Sequence, residues 1–184
     1  MRWPLKQAVF TLQEGGIVAC PTEAVYGLSC DPLDAEAVYT LLALKQRPIE
    51  KGLILVASNT SQLEPYLGTL PAAAKKRVLA SWPGPYTWLC PANPDVPVWL
   101  TGMHETLAVR VTAHPVMAAL CHAFGGPLVS TSANLAGHHP QRTALGVQCQ
   151  LGDKLDFILS GHTNPGAKPT SIRDAITNKV IRAG

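Results

Sequence analysis

Short apolar runs alternate along the chain with longer stretches whose apolar residues recur every third or fourth position. The runs predict strands at 16–20, 53–57, 86–91, 107–111, 127–131, 156–159 and 179–182. The periodic stretches predict helices at 5–13, 34–46, 71–81, 114–124 and 141–150, the last two opening near His114-Pro115 and Arg142-Thr143. Such interleaving belongs to the α/β or α+β class. Trp82-Pro83-Gly84-Pro85 reads as a structural corner, since Pro fixes the backbone and Gly permits unusual angles. No internal repeat or low-complexity linker interrupts the pattern.

With 184 residues, 47% of them hydrophobic and 15% charged, the chain can bury one substantial core but is short for two. Residues 1–184 are therefore expected to form a single domain. A formal charge of +3 is too small for a protein that wraps nucleic acid. The cysteines Cys20, Cys30, Cys90, Cys121 and Cys149 are scattered and lack metal-ligand spacing, so they read as reduced thiols of a cytoplasmic protein. The N-terminal residues carry no signal-peptide pattern, and no segment approaches the roughly 20 apolar residues of a membrane span.

Candidate chemistry gathers where apolar runs give way to polar residues. After the first strand comes Cys20-Pro21-Thr22-Glu23-Ala24-Val25-Tyr26-Gly27-Leu28, rich in hydroxyls around one carboxylate. The second helix ends on Lys45, Arg47 and Lys51 around Pro48. Three cations at a helix exit suit a polyphosphate, or they complement the helix dipole. Ser130-Thr131-Ser132-Ala133-Asn134 follows another strand and offers neutral donors and acceptors, or an ordinary turn. Arg110 stands inside the apolar run Leu107-Ala108-Val109-Arg110-Val111 and needs an acceptor: a ligand, or a buried ion-pair partner. His138-His139 lacks companion ligands for zinc, and Ser132 lacks the nucleophile-elbow context of a hydrolase.

These segments occur in the order that marks the YrdC-like family, joined by Trp82-Pro83-Gly84-Pro85 and by Thr170-Ser171-Ile172-Arg173-Asp174. The chain resembles the short, single-domain members of that family from about residue 8 to its last residue. The resemblance implies a twisted mixed sheet with flanking helices and a concave basic face. It also implies a nucleotidyltransferase that joins L-threonine, bicarbonate and ATP into threonylcarbamoyl-adenylate, releasing pyrophosphate, for tRNA threonylcarbamoyladenosine modification. A separate transferase complex would use the product.

By the same resemblance, Lys45, Arg47, Lys51, Thr106, Ser132, Asn134 and Arg182 would bind ATP, with Mg2+ accompanying the phosphates. Thr22, Tyr26, Arg110, Ser130 and Thr170 would bind threonine or bicarbonate, with Arg110 on the threonine carboxylate and Glu23 organising the first loop. No residue is assigned as a nucleophile and none as a resident metal ligand. The chain departs from the family pattern at Ala24, Lys51, Val56 and Thr170, and by its resemblance to the short members it is expected to work without the additional C-terminal domain of the longer synthases. The alternative from another class is a non-catalytic factor in ribosome maturation that binds double-stranded RNA or tRNA through phosphate contacts.

Overall fold

The computed structural model describes residues 3–184. Helix α1, Trp3–Gln13, buries Ala8, Val9 and Leu12 along one stripe. Strands β1, Val18–Pro21, and β2, Tyr26–Ser29, pair antiparallel and are buried throughout. Helix α2, Ala35–Lys45, begins where the Asp34 carboxylate accepts the Ala37 N–H. It ends at Gln46, whose left-handed backbone (φ 47°) turns the chain sharply. Then come β3 (Ile54–Ala57), α3 (Ala72–Ala80), β4 (Tyr86–Pro91), the single turn α4 (Val98–Thr101) and β5 (Thr106–Val111). The remainder comprises α5 (Pro115–Phe124), β6 (Leu128–Ser132), α6 (Ala144–Leu151), β7 (Phe157–Ile158), β8 (Ser171–Asp174) and β9 (Val180–Arg182).

The strands form one mixed sheet in the order β7-β1-β2-β6-β3-β5-β4-β8-β9. Among the described residues only β1/β7, β3/β5 and β4/β8 run parallel. Residues opposite one another in register point to the same side of a sheet. Ser130, Ile54, Ala108 and Leu89 therefore form one row across β6, β3, β5 and β4. Along β5 the alternation separates Thr106, Ala108 and Arg110 from the buried Leu107, Val109 and Val111. Leu107, Val109 and Val111 join the larger apolar cluster, with Leu41 of α2, Val78 of α3 and Val147 of α6. A smaller cluster beneath α1 and α5 holds Leu12, Val56, Met117, Leu120 and Leu128.

Each predicted strand and helix is present, with no end displaced by more than three residues. The predicted helix at 141–150 starts later, because Thr143 is its cap and accepts the Gly146 N–H. Three elements have no counterpart in the predictions. Strand β2 contains Gly27 and has no exposed face, so it lacks alternation. Strand β8 reads Ser-Ile-Arg-Asp, and its pairing to β4 and β9 makes it a strand. Helix α4 is too short for any period to register. Four of the five cysteines are buried and free, while Cys149 is exposed. Among the described residues no helix is long and apolar enough to cross a membrane.

The turn after α2 is held by glycine. Gly52 has φ 61°, and a Cβ there would lie 2.8 Å from the Thr101 carbonyl oxygen and 3.0 Å from that of Leu100. Gly102 answers it with φ 63° and a Cβ position that overlaps the Glu50 carbonyl. The two backbones thus interlock, fastening α4 to the segment that carries Arg47 and Lys51. Gly52→Ala is expected to cost about 1–3 kcal/mol, read from denaturant midpoints, because it adds both a clash and an unfavourable φ. An unchanged midpoint would show that the turn tolerates a side chain.

Candidate active site

A cavity of about 490 Å³ opens on the sheet. Its floor includes the row Ser130, Ile54, Ala108 and Leu89, with Thr106 and Arg110 on the same side of β5. Loops and strand ends build the walls: Thr22 to Gly27 from the first loop, Arg47 and Lys51 from the exit of α2, and Thr170, Ile172 and Arg182 from β8, β9 and the segment before them. The chain between β7 and β8 crosses the first loop, where Gly161 bonds the Tyr26 hydroxyl and the Asn164 N–H donates to the Glu23 carbonyl.

Charge in this cavity is one-sided. Arg47, Lys51, Arg110 and Arg182 line it, and among the described residues no Asp or Glu does. Arg47 donates from Nε and Nη2 to the Gly52 carbonyl at 3.2 and 2.9 Å, which aims the guanidinium. Burial, and then the charge on Arg182, work against its own charge. The Arg182 Nη2 donates to the Thr170 carbonyl at 3.1 Å, clasping β9 to the start of β8. Cations crowded without an acid between them have a strong preference for an anionic ligand.

Arg110 is the exception with a partner. Its Nη2 lies 3.3 Å from Glu23 Oε2, and the two side chains are 8% and 14% exposed. Glu23 Oε1 accepts the Thr112 hydroxyl at 2.7 Å. Burial alone would push the Glu23 carboxyl up, but Arg110 and then the Thr112 hydroxyl hold it below its ordinary range. A carboxyl held low stabilises the fold above its unfolded-state value of 4.5, and that contribution is lost as the pH falls through the folded value. Wild-type melting temperature is therefore expected to fall below pH 4.5 more steeply than that of Glu23→Gln. Parallel melting curves from pH 7 to about pH 3 would remove the linkage.

The polar groups divide by what they have left to offer. Thr22 Oγ1 donates to the Val25 carbonyl at 2.7 Å, closing the first turn. Tyr26 spends its hydroxyl on Gly161, donating at 2.8 Å and accepting at 3.0 Å. Thr170 pairs with the buried Thr87 hydroxyl at 3.2 Å. Ser132 Oγ donates to Asn134 Oδ1 at 2.6 Å. Lys45 and Asn134, expected at the nucleotide, do not line the cavity: the Lys45 ammonium donates to the Ser132 and Asn134 carbonyls and to Asn134 Oδ1. Burial, with a smaller push from Arg47, brings that ammonium down to about 8.

The cavity therefore gathers Thr22, Tyr26, Arg47, Lys51, Thr106, Arg110, Ser130, Ser132, Thr170 and Arg182 from the sequence-predicted set. Sequence reasoning missed Leu100, Thr101 and His104, which α4 and its exit bring to the wall. The two glycines that dock α4 were their only trace, and Gly52 and Gly102 are too far apart in the chain to be read as a pair.

A family model described as "Telomere recombination", covering the Sua5, YciO and YrdC proteins, matches residues 11–184. The chain belongs to this family. It is 57% identical to a threonylcarbamoyl-AMP synthase of Alkalilimnicola ehrlichii, over 99% of this chain and 96% of that protein. A threonylcarbamoyl-AMP synthase of Stenotrophomonas maltophilia is 54% identical over 97% of each. Among solved structures, P. abyssi Sua5 complexed with L-threonine superimposes with a TM-score of 0.87 at 32% identity. The chain covers 94% of itself in that match but spans only 51% of the P. abyssi protein. YciO of E. coli gives a TM-score of 0.84 at 28% identity, over 97% of this chain and 87% of that one. The Sua5/YciO/YrdC relationship thus covers every strand that floors the cavity.

Proposed function

We propose that this chain is an L-threonylcarbamoyladenylate synthase, forming threonylcarbamoyl-AMP and pyrophosphate from L-threonine, bicarbonate and ATP. The carrying observation is the cavity with four cationic side chains, of which Arg47, Lys51 and Arg182 have no acidic partner among the described residues and only Arg110 is paired, with Glu23, in a chain of the Sua5/YciO/YrdC family. The substrates of this reaction are a carboxylate, a bicarbonate and a triphosphate. One cavity must hold all three against their mutual repulsion.

The reaction needs no protein nucleophile. The threonine nitrogen adds to the carbon of bicarbonate with loss of water, giving a carbamate. A carbamate oxygen attacks the α-phosphorus, and pyrophosphate leaves with the bonding pair of the P–O bond it breaks. The protein's part is to bring the anions together and stabilise charge that moves onto the departing group. Arg47, Lys51 and Arg182 take the phosphates in this scheme, with Thr106 and Ser132 beside the nucleotide. Arg110, oriented by Glu23, takes the threonine carboxylate. Thr22, Ser130 and Thr170 flank the amino-acid end, and Tyr26 shapes it through its ring while Gly161 holds its hydroxyl.

Mg2+ fits as a companion of the triphosphate. The cavity wall supplies hydroxyls but no carboxylate among the described residues, so phosphate oxygens and water would provide most ligands. When bound, the ion neutralises phosphate charge. The activated product would pass to a tRNA-modifying transferase. Residues 1–184 act here as one domain.

Pyrophosphate release from ATP, with threonine and bicarbonate supplied singly and together, tests this reading. Release that requires both, with the adenylate detected by mass, is the expected result. Salt-sensitive RNA binding without such release would favour the ribosome-maturation alternative.

A further inference from the structure

The Lys-x-Arg and Ser-x-Asn motifs are each split by the cavity wall. Arg47 and Ser132 line the cavity, whereas Lys45 and Asn134 stand behind it. The left-handed residue Gln46 makes this division on the α2 side, since it reverses the chain between Lys45 and Arg47. Lys45 is 8% exposed, and its ammonium donates to the Ser132 carbonyl at 2.6 Å, the Asn134 carbonyl at 2.5 Å and Asn134 Oδ1 at 2.8 Å. An ammonium has three protons, so its donors are all committed. Asn134 is equally committed: Oδ1 accepts from Lys45 and from Ser132 Oγ, while Nδ2 donates to the Leu135 carbonyl at 2.9 Å and the His138 carbonyl at 2.8 Å.

A phosphate oxygen could reach the Lys45 protons only by displacing one of these acceptors and leaving it unpaired. The bonds also set a polarity. With its proton committed to Asn134, Ser132 Oγ presents lone pairs to the cavity, so it can accept from a ligand N–H or O–H group. We infer that Lys45 is a positioning residue: it pins Asn134 and the end of β6, and through Asn134 fixes the direction of the Ser132 hydroxyl, without touching the triphosphate. The kinetic part of this inference rests on the synthase reading above. The binding part does not.

The test is a double-mutant cycle on Lys45→Ala and Asn134→Ala. Its readouts are kcat for pyrophosphate release and the Kd of inorganic tripolyphosphate, measured on the full chain by calorimetry. Each single variant is expected to lower kcat by about tenfold or more through misplacement of the wall, with the tripolyphosphate Kd held within about twofold. The double variant should be no worse than the poorer single one, because both remove the same relay. A tenfold rise in Kd for Lys45→Ala that Asn134→Ala does not share would overturn the inference, as would losses that multiply in the double variant.

If Lys45→Ala fails to fold, the wild-type protein still decides. Its Lys45 ammonium signal in nitrogen-15 NMR should stay in place as tripolyphosphate saturates the cavity, and a large shift would show direct contact. Wild-type protein that makes no adenylate would sink the synthase reading, while the binding and NMR measurements would still judge Lys45.

Discussion

Arg47→Ala is expected to reduce threonylcarbamoyl-adenylate synthesis by about 10²–10³-fold, the usual cost of removing one donor aimed at developing charge. Among the cations that line the cavity, Arg47 is the one most fully oriented, with Nε and Nη2 both on the Gly52 carbonyl. Those bonds spend one edge of the planar group and leave the opposite edge for phosphate. Since burial and Arg182 already oppose its charge, removing it also relieves repulsion. The melting temperature should therefore change little while turnover collapses. Unchanged turnover with saturable ATP binding would remove Arg47 from the phosphate site.

Arg110→Ala is expected to fail in two ways. Glu23 would be left as a buried carboxylate without its counter-ion, at a cost of about 3–5 kcal/mol. Threonine would lose its carboxylate partner, so the threonine requirement should rise further than the ATP requirement. The double variant Glu23→Gln with Arg110→Ala separates the two effects. It should recover most of the stability, because no charge is then buried alone, yet it should not recover threonine use. Recovery of both would leave Arg110 with a structural role only.

Much of this could be read from residues in series. The apolar run at 107–111 predicted a strand that carries Arg110 as a charge in need of an acceptor, and the side of β5 that holds Arg110 is cavity floor. The exit of α2 advertised its cations, and Ser130-Thr131-Ser132 its hydroxyls. What sequence could not supply was direction. Lys45 and Arg47 look alike in a motif, and only the backbone at Gln46 sends one inward and the other to the cavity. The Glu23–Arg110 pair joins residues from β1's exit and β5 that meet only when the sheet assembles. Strand β2 was illegible because burial on both faces erases alternation, and α4 because one turn has no period.

The floor row across β6, β3, β5 and β4 ties heredity of the fold to heredity of the chemistry. A one-residue insertion or deletion just ahead of β5 that slips the whole strand by one position would carry Thr106, Ala108 and Arg110 into the apolar cluster and present Leu107, Val109 and Val111 to the substrates. Such a lineage loses its packing and its catalyst in the same event, with no half-working form for selection to keep. In the strands that floor the cavity, a change of length therefore threatens both properties at once.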